Sequence, residues 1–326
     1  MSRGKRSGGG FRNRHGAGGG TRTQTGLPRP ERAHPRSTRS DRDTSETPRS
    51  ARPAQVVKGG APPERTYRPA GGDGRYWIYG RHAVLAALAN PRRRPLRLLL
   101  TLEAEAECAR DIAAARARWG ERMPVIRAER QEIGERLGGE TVHQGIALET
   151  LPLPDQDLDR ILTEAGPQAT VLALDQVTDP HNVGAILRSA AAFGCAAVIA
   201  TQRHAPPETG ALAKAASGGL EQVALLRVGN LAQALQKLKA EGFWCLGLAA
   251  EGAEPLAKAD LSGRIAFVLG AEGAGLRRLT REHCDLLVRL QTRPGLIQLN
   301  VSNAAALALY ERARSSSLEP REPDEA

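Results

Sequence analysis

The segment that organises the chain is LIQLNVSN at residues 296–303, which runs directly into an alanine-rich stretch at 304–314. Its apolar approach gives way to a polar cluster and then to strong helix formers. We therefore expect Asn300 or Ser302 to be the N-cap of a C-terminal helix. Free backbone N–H groups at such a terminus can also bind a ligand. Alone, the segment predicts only a cap, and it predicts a ligand site if other segments converge on it.

The positive charge of the chain is concentrated in its first 72 residues. They carry 16 basic and 5 acidic side chains, net +11, whereas the rest of the chain has a net charge of −1. Gly, Arg, Pro, Ser and Thr dominate, and large apolar side chains are scarce, so we expect residues 1–72 to be a disordered basic arm and 317–326 a disordered tail. The arm can contact a phosphate backbone or act only as a solubilising tail, and both interpretations stay open.

Residues 73–155 show a first alternation of helices and strands, typical of a small α/β domain. Apolar residues at helical spacing from Ile78 to Leu88 predict a helix that stops before Pro91. Pro152 and Pro154 mark the linker to the next domain. The other predicted elements are strands at 96–100, 124–126 and 145–148 and helices at 104–119 and 131–137.

Residues 156–316 show a longer alternation of the same kind. Strands alternating with helices predict a parallel sheet covered on both faces. In such a sheet, ligands bind outside the carboxyl ends of the strands. The predicted strands are 171–174, 197–200, 223–228, 244–248, 265–269 and 286–290, and the predicted helices are 183–193, 211–216, 231–241, 276–283 and 304–314.

Two loops that follow predicted strands have unusual compositions. In DPHNVGAILR at 179–188, Asn182 can cap the next helix, and Gly184 permits close approach of a ligand or a second backbone. Arg188 then projects to the polar side of that helix, either near a site or simply into solvent. In GAEGAGL at 270–276, three glycines can wrap a ligand, and Glu272 suits one that is cationic or offers hydroxyls.

Several classes of protein and site are disfavoured. The second loop is neither G-x-G-x-x-G nor a P-loop, which argues against dinucleotide binding and NTPase activity. The scattered Cys108, Cys195, Cys245 and Cys284 predict reduced, partly buried thiols and no metal site. No apolar run reaches a membrane-spanning length, so we expect a cytoplasmic protein.

The loop at 214–219 is a weaker candidate for a ligand site than the loops described above. It predicts a helix end with a glycine cap.

The three loops in this order resemble the three motifs of the SpoU, or TrmH-like, branch of the SPOUT RNA methyltransferases. Residues 79–149 also resemble the small substrate-binding domain that precedes the catalytic domain in many members. The resemblance covers about residues 76–314. The matching residues are Asn182, Gly184 and Arg188 in N-x-G-x-x-x-R, Gly270, Glu272, Gly275 and Leu276 in G-x-E-x-x-G-L, and Leu299 to Ala304 in L-N-V-S-x-A.

The resemblance implies S-adenosylmethionine as cofactor, an obligate homodimer and a C-terminal deep trefoil knot. In the resembling proteins the knot forms the adenosine pocket from backbone of the second and third motifs and the strand between them. Carried over by position, the cofactor-binding residues are Gly270, Leu290 and Leu299. The glycines then allow close wrapping around adenine.

The reaction implied by the resemblance is methyl transfer to a ribose 2′-hydroxyl of RNA, with a guanosine in 23S rRNA as the expected target. The family places Arg188 as the key catalytic group. Because a guanidinium resists deprotonation, we expect it to hold phosphate and stabilise the developing alkoxide. Asn182 and Asn300 would shape the pocket, and Glu272 would orient Arg188 or Asn182 by a charge-assisted bond.

One residue departs from the family pattern. The family usually has Ser two residues before the third-motif Asn, where this chain has Gln298. This difference is the one indication of an alternative function, a ribosome-associated RNA-binding protein that keeps the fold without transfer. A tRNA 2′-O-methyltransferase also stays possible.

Overall fold

A computed structural model describes residues 74–139, 141–293 and 299–315. The predicted basic arm, the predicted C-terminal tail and Gln298 lie outside the described residues. No helix in the described ranges is both long and apolar enough to cross a membrane.

The first part of the described chain forms a four-stranded sheet, here called the N-terminal sheet. Its strand order is β1-β4-β2-β3, with β4 antiparallel to both neighbours and β2 parallel to β3. Its strands are β1 (Tyr76–Tyr79), β2 (Arg94–Leu100), β3 (Val125–Arg127) and β4 (Ile146–Leu151), and its helices are α1 (Arg81–Ala89), α2 (Leu102–Glu107), α3 (Ala109–Trp119) and α4 (Arg130–Arg136).

Two helix predictions in this region were partly wrong. Ile78, predicted as helical, is a fully buried strand residue opposite Leu148 in β4. Gly80, with a φ of 88°, separates this strand from α1, because that backbone conformation interrupts a helix. The single helix predicted at 104–119 is divided into α2 and α3 at Cys108, whose φ and ψ of −112° and 22° are not helical.

The second part of the chain forms a seven-stranded sheet in which every strand pair is parallel, here called the large sheet. Its order is β7-β6-β5-β10-β8-β11-β9. Its strands are β5 (Thr170–Asp175), β6 (Ala197–Thr201), β7 (Ala224–Val228), β8 (Phe243–Leu248), β9 (Glu254–Pro255), β10 (Arg264–Gly270) and β11 (Leu286–Arg289), and the helices are α5 (Leu158–Glu164), α6 (Pro180–Ala192), α7 (Gly210–Ala216), α8 (Gly219–Gln222), α9 (Leu231–Ala240), α10 (Arg278–His283) and α11 (Val301–Ser315).

The parallel sheet predicted from the alternation is therefore confirmed, and both of its faces are covered. In β5, Leu172 faces the core that contains residues of α6, α7 and α11, whereas Val171 faces a second core with residues of α5 and α9. Burial on both faces explains why β5 is apolar at nearly every position rather than alternating. Sequence reasoning missed α5, α8 and the two-residue β9.

The core on the α6 side continues into the N-terminal sheet. Ile78, Leu98 and Leu148 of that sheet belong to the same buried cluster as Leu172 and Ile186 of the large-sheet region. The two sheets thus share one apolar core.

Two further predictions concern chain path and capping. The knot stays a prediction, since residues 294–298 between β11 and α11 lie outside the described residues. The helix end predicted at 214–219 is confirmed, because α7 ends at Ala216. The predicted glycine cap was wrong, because the C-cap is Ser217, in the left-handed region with φ 49°. Gly218 follows it with φ 100°.

Candidate active site

Asn300 is the N-cap of α11. Its Oδ1 accepts hydrogen bonds from the backbone N–H of Ser302 at 2.8 Å and of Asn303 at 3.4 Å, and from the Ser302 hydroxyl. These bonds satisfy backbone donors that have no partner within the helix. The predicted cap is confirmed, and it is Asn300 rather than Ser302.

The same Asn300 side chain joins the three sequence motifs. Its Nδ2 donates to Asn182 Oδ1 at 2.9 Å and to Glu272 Oε1 at 2.7 Å. Asn182 Nδ2 donates to that same Oε1 at 3.0 Å. The cap bonds fix which end of the Asn300 amide carries oxygen, so the direction of each bond in this triad follows. The three loops therefore meet at one point.

Asn182 does not cap α6, contrary to the prediction. Asp179 is the N-cap, with its carboxylate accepting from the backbone N–H of His181 at 3.0 Å, and Pro180 occupies the first helical position. Pro suits that position because its missing N–H would have no partner there. Asn182 lies in the first turn, where its amide bonds Glu272 and Asn300 instead of its own backbone.

Gly270 allows the second loop to fold back on the end of β10. A Cβ at this position would lie 2.1 Å from the carbonyl carbon of Gly275 and 2.4 Å from the nitrogen of Leu276. The fold-back is closed by a 2.8 Å bond from the Gly275 N–H to the carbonyl oxygen of Ala271. Gly273 and Gly275 have φ of 78° and 65°, which non-glycine residues rarely adopt. These glycines therefore shape the loop itself.

A cavity of about 350 Å³ lies against this loop at the carboxyl edge of the large sheet. The predicted cofactor residues Gly270, Leu290 and Leu299 all line it, together with Glu272. Its size falls in the range of small-molecule sites, and its mixture of apolar walls, exposed backbone and few charges is typical of them. The remaining lining residues are Leu248, Ala249, Ala250, Glu251, Leu269, Ala271, Gly273, Ala274, Gly275, Leu276, Arg281, Thr292, Val301 and Ala304.

Arg188 lies apart from the triad. It is exposed on α6, while Ile186, Leu187 and Ala190 of that helix are fully buried. Within the ranges 74–139, 141–293 and 299–315, its side chain makes no hydrogen bond or ion pair, and it does not line the cavity. Glu272 was predicted to orient either Arg188 or Asn182. It accepts hydrogen bonds from Asn182 and Asn300 and makes none with Arg188. The guanidinium is thus free to meet a ligand from solvent.

Gly184 serves helix packing. A Cβ there would lie 2.5 Å from the Cβ of Ala215 and 2.6 Å from the carbonyl oxygen of Leu212, both in α7. Gly184 was predicted to permit close approach of either a ligand or another backbone segment, and the structure shows the backbone of α7 at this position.

Asp175 supports the site and was missed by sequence reasoning. This fully buried residue ends β5, and its carboxylate accepts from the backbone N–H of Arg277 at 2.9 Å and from its Nε at 2.7 Å. Arg277 directly follows the second loop, so the pair fixes the end of that loop to the strand preceding the first motif. The available signal was an acidic residue at the carboxyl end of an apolar strand.

Three of the four cysteines are held as unreactive thiols. All four are free thiols. Burial raises the pKa of Cys195, Cys245 and Cys284 to about 12, so these thiols stay protonated at neutral pH. In the described part of the chain, no group of three or more His, Cys, Asp or Glu side chains is placed to hold a metal ion.

Two family models match this chain. Residues 169–310 match the SpoU rRNA methylase family, and residues 77–156 match an RNA 2′-O ribose methyltransferase substrate-binding family. The chain is 40% identical over 240 residues to a 23S rRNA (guanosine-2′-O-)-methyltransferase, RlmB, of Pseudomonas putida, an alignment covering 73% of this chain and 95% of the relative. The RlmB of Escherichia coli K12 is 38% identical over 243 residues, covering 74% and 98%.

Solved structures share the fold. The SpoU methyltransferase AviRb from Streptomyces viridochromogenes, in complex with AdoMet, superposes with a TM-score of 0.61 at 23% identity, covering 74% of this chain and 90% of that chain. An AdoMet-bound rRNA methyltransferase from Sinorhizobium meliloti gives a TM-score of 0.61 at 20% identity, covering 74% and 88%.

Proposed function

The chain belongs to the SpoU rRNA methylase family, and from that premise we propose that it methylates the ribose 2′-hydroxyl of a guanosine in 23S rRNA. It is an S-adenosylmethionine-dependent enzyme. The observation that carries the proposal is the meeting of Asn182, Glu272 and Asn300 beside a cavity of cofactor size. The guanosine of 23S rRNA comes from the names of the relatives.

The residues of the cavity fit the cofactor. Leu290 and Leu299 offer apolar walls to an adenine ring, and Gly270 exposes backbone without a side chain. Bound S-adenosylmethionine supplies an electrophilic methyl group on a positively charged sulfur. The carboxylate of Glu272 at the cavity wall is compatible with that positive charge and would repel a phosphate.

Arg188 acts on the RNA in this proposal. Its guanidinium has no partner among the described residues, so it can bind a phosphate without breaking a bond in the protein. A cation near the ribose would also stabilise the negative charge that develops on the hydroxyl oxygen as its proton passes to solvent water. Asn182 and Asn300 do not line the cavity, but their hydrogen bonds hold the carboxylate of Glu272 in place at the cavity wall.

The direct test measures methyl transfer to several RNAs. Purified protein with radiolabelled S-adenosylmethionine should label 23S rRNA, and mapping should find one 2′-O-methylguanosine. Label in tRNA would indicate the tRNA alternative. Cofactor binding by calorimetry separates the non-catalytic alternative, because a protein that binds no cofactor at high micromolar concentration cannot be the enzyme.

The proposal keeps the predicted domain limits at 73–155 and 156–316, the trefoil knot and a cytoplasmic location. The two family matches, at 77–156 and 169–310, support the limits. The relatives' action on rRNA supports the location.

A homodimer is also part of the proposal, and α11 offers a surface for it. Leu307 and Tyr310 are 46% and 56% exposed on one face of that helix, an unusual state for two large apolar side chains in adjacent turns. Because the family is expected to be dimeric, we assign this face to a second copy of the chain. We expect Leu307→Glu/Tyr310→Glu to shift the dimer towards monomer in analytical ultracentrifugation. Leu102→Glu, an exposed leucine in α2, should leave the mass unchanged, and a dimeric double variant would exclude the face.

Deleting residues 1–72 should weaken RNA binding and reduce its salt dependence. Each phosphate contact that is lost should lower the slope of log affinity against log salt by about 0.7 to 0.9. Filter binding at several salt concentrations measures that slope. Cofactor affinity should not change, and an unaltered slope would show that the arm makes no phosphate contact.

A further inference from the structure

A buried ion-pair cluster joins the N-terminal sheet to α7 and α8. The Arg93 side chain, which precedes β2, has no exposed surface. Its Nε and Nη2 donate to Glu221 Oε1 in α8 at 2.9 and 2.7 Å. Its Nη1 donates to Glu208 Oε2, just before α7, at 3.1 Å. A single guanidinium therefore holds two carboxylates that belong to the large-sheet region.

The neighbours of the cluster complete its hydrogen bonding. The Tyr76 hydroxyl donates to Glu208 Oε2 at 3.0 Å, and the Arg93 guanidinium lies 5.8 Å from the Tyr76 ring centroid. Asn90 Nδ2 donates to Glu221 Oε2 at 2.7 Å. Buried charges with such complete partners hold one arrangement of the groups around them. Tyr76, Asn90 and Arg93 all come from the N-terminal sheet region, so the cluster fixes that region to α7 and α8.

On the side opposite the ion-pair cluster, α7 and α8 pack directly against α6, the helix that contains Arg188. A Cβ on Gly219 would lie 2.6 Å from the Leu187 carbonyl oxygen and 3.0 Å from the Arg188 Cα. Gly184 makes a similar contact with α7. The backbone of α8 at Gly219 is thus in direct contact with the backbone of α6, and no flexible side chain lies between α8 and Arg188.

The glycine contacts continue on the side of the N-terminal sheet. A Cβ on Gly210 would lie 2.4 Å from the Trp77 carbonyl oxygen, and one on Gly218 would lie 3.0 Å from the Ala86 Cβ. The segment formed by α7 and α8 is therefore closely packed against the N-terminal region on one side and against α6 on the other. Because these elements are in direct contact, we expect a displacement of the N-terminal sheet to shift α6 as well.

We propose that Arg93 is a positioning residue for methyl transfer. By holding Glu208 and Glu221 it sets the N-terminal sheet, and RNA bound there, at one distance and angle from Arg188. This inference rests on the proposed function. A small misplacement of bound substrate is enough to reduce turnover strongly, which gives the cluster a role beyond stability.

Arg97 provides a matched control within the same sheet. Its Nε pairs with Glu149 at 2.6 Å, and its guanidinium lies 5.2 Å from the Trp77 ring centroid. It thus has the same two kinds of contact as Arg93. Both of its partners lie in the N-terminal sheet, so its loss affects that sheet and leaves the connection to α7 and α8.

The test removes the charges of the cluster together. Arg93→Met/Glu208→Gln/Glu221→Gln leaves no unpaired buried charge and so favours a folded protein. We expect kcat on rRNA to fall at least about tenfold, while KM for RNA and Kd for S-adenosylmethionine change less than about threefold. Arg93→Lys, which keeps the charge but loses the two-pronged contact, should give an intermediate kcat. Arg97→Met/Glu149→Gln should keep the wild-type kcat whatever its effect on the KM for RNA, because this pair lies within the sheet that is proposed to bind the RNA.

Amide hydrogen exchange gives a readout that does not depend on activity. In the triple variant, amides of α7 and α8 should exchange faster, while those of α9 should not. Wild-type kcat in the folded triple variant, or an equal loss in the Arg97 control, would overturn the inference. If the wild-type protein itself methylates no RNA, the proposed function fails. Unaltered amide exchange of α7 and α8 in the triple variant is a separate result, and it would overturn the role of the cluster in positioning.

Discussion

Arg188→Ala should lower kcat for RNA methylation by about a hundredfold or more and leave the Kd for S-adenosylmethionine within about twofold of wild type. Arg188 is exposed, makes no bond within the described residues and does not line the cavity. Its removal therefore takes nothing from the fold or from the cofactor pocket. Single-turnover methylation and calorimetry on the same preparation measure the two quantities.

Two variants sharpen the interpretation of Arg188. Arg188→Lys keeps a positive charge without the planar fork, so it should recover part of the rate if charge alone matters and little if two-pronged phosphate binding is needed. Arg160→Ala removes another exposed arginine, in α5, and should have no effect. Full turnover by Arg188→Ala would refute the assigned role.

Gly270→Ala should weaken S-adenosylmethionine binding at least tenfold, equivalent to about 1.4 kcal/mol. The added methyl group would meet backbone atoms of Gly275 and Leu276 at 2.1 to 2.4 Å, so the loop has to open. Backbone atoms cannot turn aside as a side chain can, and Glu272 in the same loop would move away from Asn182 and Asn300. Calorimetric titration measures the loss.

Gly229→Ala is the matched control for this substitution. Gly229 follows β7, and an added Cβ would meet no atom within 4 Å. Cofactor affinity and thermal stability should both stay at wild-type values. If Gly270→Ala bound S-adenosylmethionine like the wild type, the cavity beside this loop would not be the cofactor site.

Local sequence predicted much of this molecule for identifiable reasons. The alternation of strands and helices indicated a parallel sheet covered on both faces, and β5 is buried along its whole length within such a sheet. Asn300 before an alanine-rich stretch indicated a cap, because a short side chain that accepts bonds from its own backbone acts over two or three residues. The short apolar run that begins at Ile78 fits the spacing of a helix as well as that of a strand, and its pairing with Leu148 makes Ile78 a strand residue.

Local sequence alone predicted the parallel sheet, the edge at which its loops meet and a helix cap at either Asn300 or Ser302. The packing of whole elements determines that Glu272 bonds Asn182 and Asn300 rather than Arg188. It also places Gly184 against α7 and buries Arg93 against Glu221, 128 residues away. Strand and helix periods and caps arise between neighbours in the chain, so composition and spacing encode them. A contact between distant residues depends on how whole elements pack, and no local pattern of residues carries that information.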